Sequence, residues 1–297
     1  MKTCIRFTLA AAACYFAIIQ PAFADDMYIS DSAKTTAVAL GNGVYETVSG
    51  PDTNGIAVTR DGILIISPDT EGAVSVTDGS SQRDIRVIPA LKLDFESDDA
   101  INEYAQFSGS RKQDENGCYL DAGEENALID ISAVNISGGT VRIGFRMYKA
   151  DAEACDLIKL TGADGTALSQ ITLSKRSEES MYLSYLDGGA MIRMRNVLIN
   201  VGEWLDAELS VDFDTKKADL TVDGALLLKD TPVAEAEIGL KNISFGMAID
   251  DVTVSCGKPL DSCGIEIGAE AVSVKPDAVS MINPEISLEP VSYTHLE

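Results

Sequence analysis

The stretch Gly202–Val233, with the sequence GEWLDAELSVDFDTKKADLTVDGALLLKDTPV, carries the pattern that decides the fold. Apolar residues occupy alternate positions on both sides of the turn at 214–217, namely Leu209, Val211, Phe213, Ala218, Leu220 and Val222. Because successive side chains of a strand point to opposite faces, this period of two predicts antiparallel strands with one buried and one solvated face.

The same period recurs at Val141–Tyr148, where Val141, Ile143, Phe145 and Met147 form the apolar face. Short runs rich in Val, Ile, Thr and Tyr continue along the chain between Gly, Asp, Asn and Pro clusters, and helical periodicity is almost absent. We therefore predict an all-β protein. Residues 90–256 are expected to form an antiparallel β-sandwich large enough to be a self-standing domain.

Residues 25–89 are predicted to form a separate, small N-terminal β-domain. Gly41-Asn42-Gly43 and Arg60-Asp61-Gly62 each stand between apolar runs and are typical of hairpin turns. The stretch from Val44 to Ile88 resembles the bacterial immunoglobulin-like modules of extracellular proteins, mainly in the placement of its turns. A unit of about sixty residues is short for a complete sandwich. We therefore expect it to lean on its neighbour.

Three pieces of the larger region resemble one known family. They are the stretch 202–233, the stretch IGLKNISFGMAIDDVTVS at 238–255, and LKLDFES at Leu91–Ser97, which resembles an opening strand. Together they resemble the concanavalin A-like lectin/glucanase jelly roll in its laminin-G-like form, over nearly all of residues 90–256. This resemblance implies a two-sheet sandwich whose relatives bind glycans, bind proteins or accompany polysaccharide-degrading enzymes.

The first 24 residues have the features of a cleavable signal peptide. Lys2 and Arg6 precede the apolar run Phe7–Ile19, and Ala22-Phe23-Ala24 supplies the small-x-small pattern of a cleavage site. We predict cleavage after Ala24 and a secreted or cell-surface protein that is not inserted in a membrane. The alternatives are a transmembrane anchor, for which the apolar run is short, and lipid attachment at Cys14.

Cleavage makes an acidic chain more acidic. The full sequence has 23 basic and 47 acidic residues, and loss of Lys2 and Arg6 leaves 21 basic residues and a net charge of −26. Such a surface repels phosphate backbones and anionic lipid, which argues against nucleic-acid and membrane partners. Extracellular glycan or another surface polymer is the expected partner.

Four cysteines remain after cleavage, namely Cys118, Cys155, Cys256 and Cys263. An oxidising compartment favours disulfides, and four cysteines allow three pairings. Since Cys256 and Cys263 bracket a turn-rich segment, the preferred pairing joins these two and joins Cys118 to Cys155. Their spacing and the lack of histidine partners argue against a zinc site.

Sequence motifs for catalysis are absent. G-x-S-x-G, the P-loop pattern and G-x-G-x-x-G do not occur, and His295 is the only histidine. Laminarinase-type members of the resembled family carry E-x-D-x-E on one strand, and that motif is absent too. We predict an exported binding module that recognises extracellular glycan and is not an enzyme. The alternatives are the front end of a larger secreted polysaccharide-degrading enzyme and a surface adhesion or structural protein that binds protein partners.

Carboxylates at two places predict a structural calcium site. Asp94 and Glu96 share the outer face of the opening strand. In the closing strand the apolar phase slips from odd to even positions at Asp250-Asp251, which predicts a β-bulge. A bulge re-aims side chains, so an aspartate there can turn toward the opening strand, and calcium prefers such oxygen clusters. The alternative is a solvated acidic edge.

Tyr119, Tyr182 and Tyr185 are the predicted glycan-binding residues, because exposed aromatic rings stack on sugars. The alternative is that these rings belong to the core or to a sheet face. Trp204 is expected to be a packed core anchor rather than a binding platform.

The end of the chain differs from the two predicted domains. Residues 257–290, with prolines at 275, 284 and 290, are expected to be a linker or the start of a further module. The last seven residues, Val291–Glu297 (VSYTHLE), resemble the translated end of a transposase adapter used in shotgun sequencing. This predicts a sequencing artefact and a natural chain that continues beyond Pro290; the alternative is an ordinary polar tail.

Overall fold

The computed structural model describes residues 26–41, 43–49, 55–96, 104–114, 117–123, 126–134, 136, 138–235, 239–259, 265–267 and 272–274. This part of the chain consists of strands, turns and loops, and it includes no helix of a length and hydropathy that would cross a membrane. Most strands belong to antiparallel sheets that pack face to face. The predicted all-β sandwich is therefore confirmed.

The N-terminal unit consists of short strands. They are β1 (Asp26–Ile29), β2 (Thr36–Ala39), β3 (Glu46–Ser49), β4 (Ile56–Val58), β5 (Ile63–Ile66), β6 (Gly72–Thr77) and β7 (Gln82–Ile88). One four-stranded sheet has the order β1-β7-β6-β3, and β2, β5 and β4 form a second with a strand from 258–259. Val38, Leu64, Val76 and Val87 are buried together between them. The immunoglobulin-like assignment and the boundaries at 25 and 89 stay predictions.

The larger region supplies the main sandwich. Its strands are β8 (Leu91–Leu93), β9 (Gln106–Ser108), β10 (Ser110–Asp114), β11 (Gly117–Asp121), β12 (Ala127–Asp130), β13 (Thr140–Tyr148), β14 (Cys155–Gly162), β15 (Ala167–Lys175), β16 (Ser180–Asp187), β17 (Ala190–Asn200), β18 (Trp204–Asp212), β19 (Lys217–Val222), β20 (Ala225–Pro232), β21 (Leu240–Phe245) and β22 (Ala248–Cys256). The strand at 258–259 is β23 (Lys258–Pro259), and β24 (Ile265–Ile267) pairs with β25 (Val272–Val274).

These strands form two large sheets. The eight-stranded sheet has the order β10-β11-β22-β13-β18-β19-β20, and β8 pairs with β22 as an additional strand. The seven-stranded sheet has the order β17-β16-β15-β14-β21-β12-β9. The pairing of β8 with β22 joins the opening and closing strands of the region.

The core lies between the inner faces of the two large sheets. Val141, Ile143, Phe145 and Met147 of β13 are all buried, as the alternation predicted. Phe145 meets Phe245 of β21, in the opposite sheet, with ring centroids 4.9 Å apart in an edge-to-face arrangement. Removing such an aromatic side chain from a packed core costs about 3–5 kcal/mol, so this contact is a principal link between the sheets.

The predicted bulge in the closing strand is present. Gly144 pairs with Thr253 and Arg146 pairs with Asp250, so one residue of β13 lies opposite two residues of β22. Asp251 adopts a φ of 48°, in the left-handed region. Gly144 permits the close approach of the two strands, because a Cβ at this position would lie 2.6 Å from Thr253 Oγ1.

A buried ion pair fastens the N-terminal unit to the outer face of the eight-stranded sheet. The carboxylate of Asp31 accepts a hydrogen bond from the guanidinium of Arg142, and these side chains are only 12% and 7% exposed. Arg142 Nη2 also donates to Ser255 Oγ at 3.2 Å. In addition, Ile29 and Ile88 are part of the core of the larger region. The small N-terminal unit therefore packs against the larger region. This agrees with the expectation that a unit of about sixty residues is stabilised by its neighbour.

The predicted Cys118–Cys155 disulfide is not formed. Cys118 on β11 and Cys155 on β14 are free thiols with different neighbours, since Cys118 Sγ lies 3.7 Å from Arg111 Nη2 while Cys155 is beside Gly246. Cys256 is also free, and its predicted partner Cys263 lies outside the described residues. Burial raises the pKa of Cys155 and Cys256 to about 11, so the neutral thiol is the favoured form of both at neutral pH.

Replacing Asp31 by Asn should destabilise the protein, because Arg142 keeps its buried charge and loses its buried counter-charge; the carboxylate that remains, Glu208, lies 3.9 Å away and is half-exposed. The Asn side chain retains the oxygen that accepts hydrogen bonds from the Ala33 and Lys34 N–H groups. We expect a loss of about 3 kcal/mol in the free energy of unfolding, measured by urea denaturation. Glu235→Gln, which breaks the exposed Lys216–Glu235 pair, is the control and should cost less than about 1 kcal/mol. Equal effects of the two substitutions would refute a fastening role for Asp31.

Candidate ligand-binding surface

The three tyrosines predicted to bind glycan do not lie together. Tyr119 is on β11 of the eight-stranded sheet, whereas Tyr182 and Tyr185 are on β16 of the seven-stranded sheet. Residues three positions apart on a strand point to opposite faces. Tyr185 accordingly packs against the core, while Tyr182 lies on the outer face. The predicted three-residue site is therefore distributed over separate surfaces.

One of the three, Tyr119, belongs to an aromatic cluster on the outer face of the eight-stranded sheet. The centroid of its ring lies 5.6 Å from that of Trp204 in an edge-to-face arrangement. The ring of Tyr148 lies 5.4 Å from Trp204, tilted by 35°. All three side chains are partly exposed. We call Tyr119, Tyr148 and Trp204 the aromatic patch.

Strand order and register bring the patch together. Tyr148 pairs with Trp204 on one side and with Ala248 on the other. Neighbouring strands are about 4.8 Å apart, and β22 and β13 separate β11 from β18. Since the rings of Tyr119 and Trp204 nevertheless meet, both side chains lean across the sheet toward each other. Ala248, on the intervening β22, has a side chain small enough to leave room for them.

An arginine and several carboxylates border the aromatic patch. The guanidinium of Arg146 lies over the Trp204 ring, 5.2 Å from its centroid. Arg146 Nε lies 3.7 Å from Asp206, and its Nη1 lies 3.7 Å from Asp250 and 3.6 Å from Asp251. The patch thus combines an aromatic surface with fixed hydrogen-bond donors and acceptors, which is the usual composition of a ligand site.

The prediction that Trp204 anchors the core is wrong. Leu205, Ala207, Leu209 and Val211 of β18 face the core, so Trp204 shares the opposite face with Asp206. The alternation from Leu209 to Phe213 already contained this information, because every even position of the strand faces outward.

Tyr148 is on the outer face of β13 for the same reason, in phase with Arg146. Trp204 and Tyr148 were both identifiable from the period of two.

Two of the four residues of the predicted calcium site, Asp250 and Asp251, belong to this border. As predicted, β8 pairs with β22, with Leu93 opposite Val252. Glu96 Oε1 accepts a hydrogen bond from the backbone N–H of Cys118 at 3.0 Å, and Asp94 Oδ1 accepts one from the N–H of Glu96 at 3.1 Å.

The carboxylates of Asp250 and Asp251 lie 3.7 Å and 3.6 Å from the positively charged guanidinium of Arg146. Among the residues that the structure describes, no group of three metal-binding side chains is arranged around one point. Calcium binding at Asp94, Glu96, Asp250 and Asp251 stays a prediction.

Searches for related proteins gave structural likenesses only. No family model matches the chain, and no curated protein matches it. A sialidase of Trypanosoma rangeli in complex with sialic acid is 8% identical with a TM-score of 0.43, and the match covers 73% of this chain and 43% of the sialidase. In three sialidase structures the match covers 22%, 30% and 43% of the sialidase chain.

Two further likenesses are to single domains. Domain 4 of the extracellular arabinanase AbnA from Geobacillus stearothermophilus, in complex with arabinotriose, is 12% identical with a TM-score of 0.39, over 58% of this chain and 93% of that domain. The carbohydrate recognition domain of Emp46p is 12% identical with a TM-score of 0.37, over 57% of this chain and 97% of that domain.

Asp250 is the buried carboxyl group of this surface. Its pKa is raised, chiefly because burial disfavours the charged form; the negative charges of Asp251 and Glu96 add to the rise. The N–H of Asp251 and the guanidinium of Arg146 oppose it. The stability contributed by the protonated carboxyl group is present below the unfolded pKa of about 4 and is lost as the pH rises through the folded pKa.

Asp250→Asn should therefore gain stability relative to the wild type as the pH rises from about 4 to 7. The Asn side chain cannot ionise, and its oxygen can still accept the hydrogen bond from the Asp251 N–H. Urea unfolding of both proteins at several pH values measures the difference. A raised pKa of Asp250 would be ruled out if the difference in unfolding free energy between the two proteins were constant over this range. It would also be ruled out if the variant became less stable relative to the wild type as the pH rose.

Proposed function

We propose that this chain is a carbohydrate-binding module and that the aromatic patch binds neutral glycan. The observation that carries the proposal is that the only tryptophan of the chain lies partly exposed on the outer face of a sheet. Tyr148, from the neighbouring strand β13, and Tyr119, from β11 farther across the sheet, lie against it and form one aromatic surface with it.

Aromatic rings suit sugars for a physical reason. A pyranose ring has an apolar face of C–H groups, and this face packs on an aromatic ring without leaving polar groups unpaired. The rings of the patch belong to β11, β13 and β18, each of which pairs with a strand on both sides, so backbone pairing holds their Cα positions. A preorganised surface of this kind loses little conformational entropy when a ligand binds.

The border of the patch suits the hydroxyl groups of a neutral sugar. Asp206 and Asp251 supply acceptors, and the Arg146 guanidinium supplies donors. The three carboxylates next to Arg146 outnumber its single positive charge, so the field at the patch disfavours an anionic ligand. We therefore assign neutral glycan rather than acidic glycan to this surface.

The proposed setting is outside the cell. The signal-peptide features of residues 1–24 and the strongly acidic composition support export, and glycans are abundant binding partners there. A single open surface, rather than a deep cavity, is compatible with recognition of one side of a long polysaccharide chain.

Replacement of Trp204 by Ala should weaken binding of neutral polysaccharide at least about tenfold, equivalent to about 1.4 kcal/mol. The full chain from Asp25 is first screened on an array of neutral and acidic glycans, and the best neutral oligosaccharide is then titrated by calorimetry. Tyr119→Ala should weaken binding of this oligosaccharide by a smaller factor than Trp204→Ala does, because Trp204 retains its contact with Tyr148.

Leu226→Ala is the matched control, since Leu226 is an apolar side chain with 53% exposure on β20 of the same sheet. It should bind the oligosaccharide like the wild type. The proposal fails if no neutral glycan binds the wild type, or if Trp204→Ala binds as tightly as Leu226→Ala.

A further inference from the structure

A second surface with a different chemistry lies on the seven-stranded sheet. The ring of Tyr182 is flanked by two guanidinium groups, with Arg176 Cζ 5.9 Å and Arg193 Cζ 5.3 Å from its centroid. Arg176 is in the turn between β15 and β16, and Arg193 is on β17, the neighbour of β16. We call Arg176, Tyr182 and Arg193 the arginine clamp.

Backbone geometry holds the clamp in place. Arg176 N donates to Ser180 O at 3.1 Å, which closes the turn, and Arg193 pairs with Ser184 in the β16–β17 ladder. Ser184 and Tyr182 are two positions apart on β16 and therefore point to the same face. The backbone at Arg176 is thus held by a turn hydrogen bond, and the backbone at Arg193 is held by strand pairing.

The charges of the clamp are not neutralised by the protein. Within the part of the chain that the structure describes, the guanidinium groups of Arg176 and Arg193 contact the Tyr182 ring and form no ion pair with a carboxylate. This is unexpected in a chain with 47 acidic and 23 basic residues. Glu178, in the same turn as Arg176, pairs instead with Lys175 at 2.5 Å.

Two guanidinium groups that contact no carboxylate of the described residues offer hydrogen-bond donors and positive charge to a carboxylate ligand. Each guanidinium is a planar fork of N–H donors that matches the two oxygens of a carboxylate, and such charge-assisted bonds are stronger than neutral ones. The tyrosine ring adds an apolar surface on which a sugar ring can pack. A neutral sugar could use the ring but not the two charges.

The overall charge limits the ligand further. A chain with a net charge of −24 repels polymers of high charge density such as nucleic acids. A uronic acid carries one carboxylate on each sugar ring, so it can bind to a local positive site with less repulsion, because charges beyond about 8–10 Å are screened at physiological salt.

We propose that the arginine clamp is a second carbohydrate site, separate from the aromatic patch, and that it binds carboxylate-bearing sugars of the uronic-acid type. The carboxylate lies between Arg176 and Arg193, and the sugar ring packs beside Tyr182. The two surfaces belong to opposite sheets of the sandwich and differ in ligand charge.

The test is calorimetric titration of the full chain from Asp25 with trigalacturonate and with its methyl ester, which has the same rings without the charges. Trigalacturonate should bind, and its affinity should fall with added NaCl. The wild type should bind the methyl ester at least about fivefold more weakly than it binds trigalacturonate. The double variant Arg176→Gln/Arg193→Gln should bind trigalacturonate at least about fivefold more weakly than the wild type does. Each change removes the charge-assisted bonds.

Arg60→Gln is the matched control, since Arg60 is an exposed arginine in a turn of the N-terminal unit with no ion pair in the described part of the chain. It should bind trigalacturonate like the wild type, and thermal unfolding should show that all variants are folded. Absence of binding to trigalacturonate, equal binding of the methyl ester, or an unchanged affinity of the double variant would each overturn the proposal.

Discussion

The packing of one sheet's inner face on the other is the interaction on which the rest of the structure depends. Phe145 and Phe245 meet across the sandwich, and the apolar residues of β13 and β18 fill the space on either side of them. Because the side chains of a strand alternate, fixing the inner face also fixes which residues face outward. The aromatic patch and the arginine clamp are both products of this constraint.

The bulge in β22, opposite Gly144–Arg146 of β13, interrupts the alternation of inward and outward side chains at one place. It inserts an extra residue in β22, so Val252 and Val254 return to the core after Ile249 without a break in the sheet. Asp250 stays on the outer face beside Arg146, and Asp251 is turned into a left-handed conformation. The carboxylates that border the aromatic patch thus owe their arrangement to a single inserted residue.

The fold was predictable from local patterns, and the candidate site only in part. Alternating apolar positions predicted the sandwich, and the phase slip at Asp250-Asp251 predicted the bulge. The outward direction of Trp204 follows from the same alternation, which at this position overrides the general tendency of large aromatic side chains to be buried. Contacts between residues far apart in the sequence could not be predicted from local sequence patterns. The approach of Tyr119 to Trp204 depends on the strand order, and the Asp31–Arg142 pair joins residues 111 positions apart.

Both proposed sites consist of side chains on strands of the sandwich or, for Arg176, on the turn that joins two of them. The aromatic patch offers ring surface with an acidic border, whereas the arginine clamp offers unpaired positive charge. Different ligand charges are therefore expected on opposite sides of one sandwich. The acidic composition of the chain supports this division, because it makes a local pair of unneutralised arginines distinct from the remaining surface.

The most direct test of glycan binding at the aromatic patch is the intrinsic fluorescence of the chain, which contains one tryptophan. Indole emission therefore reports on Trp204 alone. Titration with a neutral oligosaccharide that binds by calorimetry should give a saturable shift of the emission, with the same dissociation constant. Binding by calorimetry with unchanged Trp204 emission would place the ligand elsewhere and contradict the proposed site.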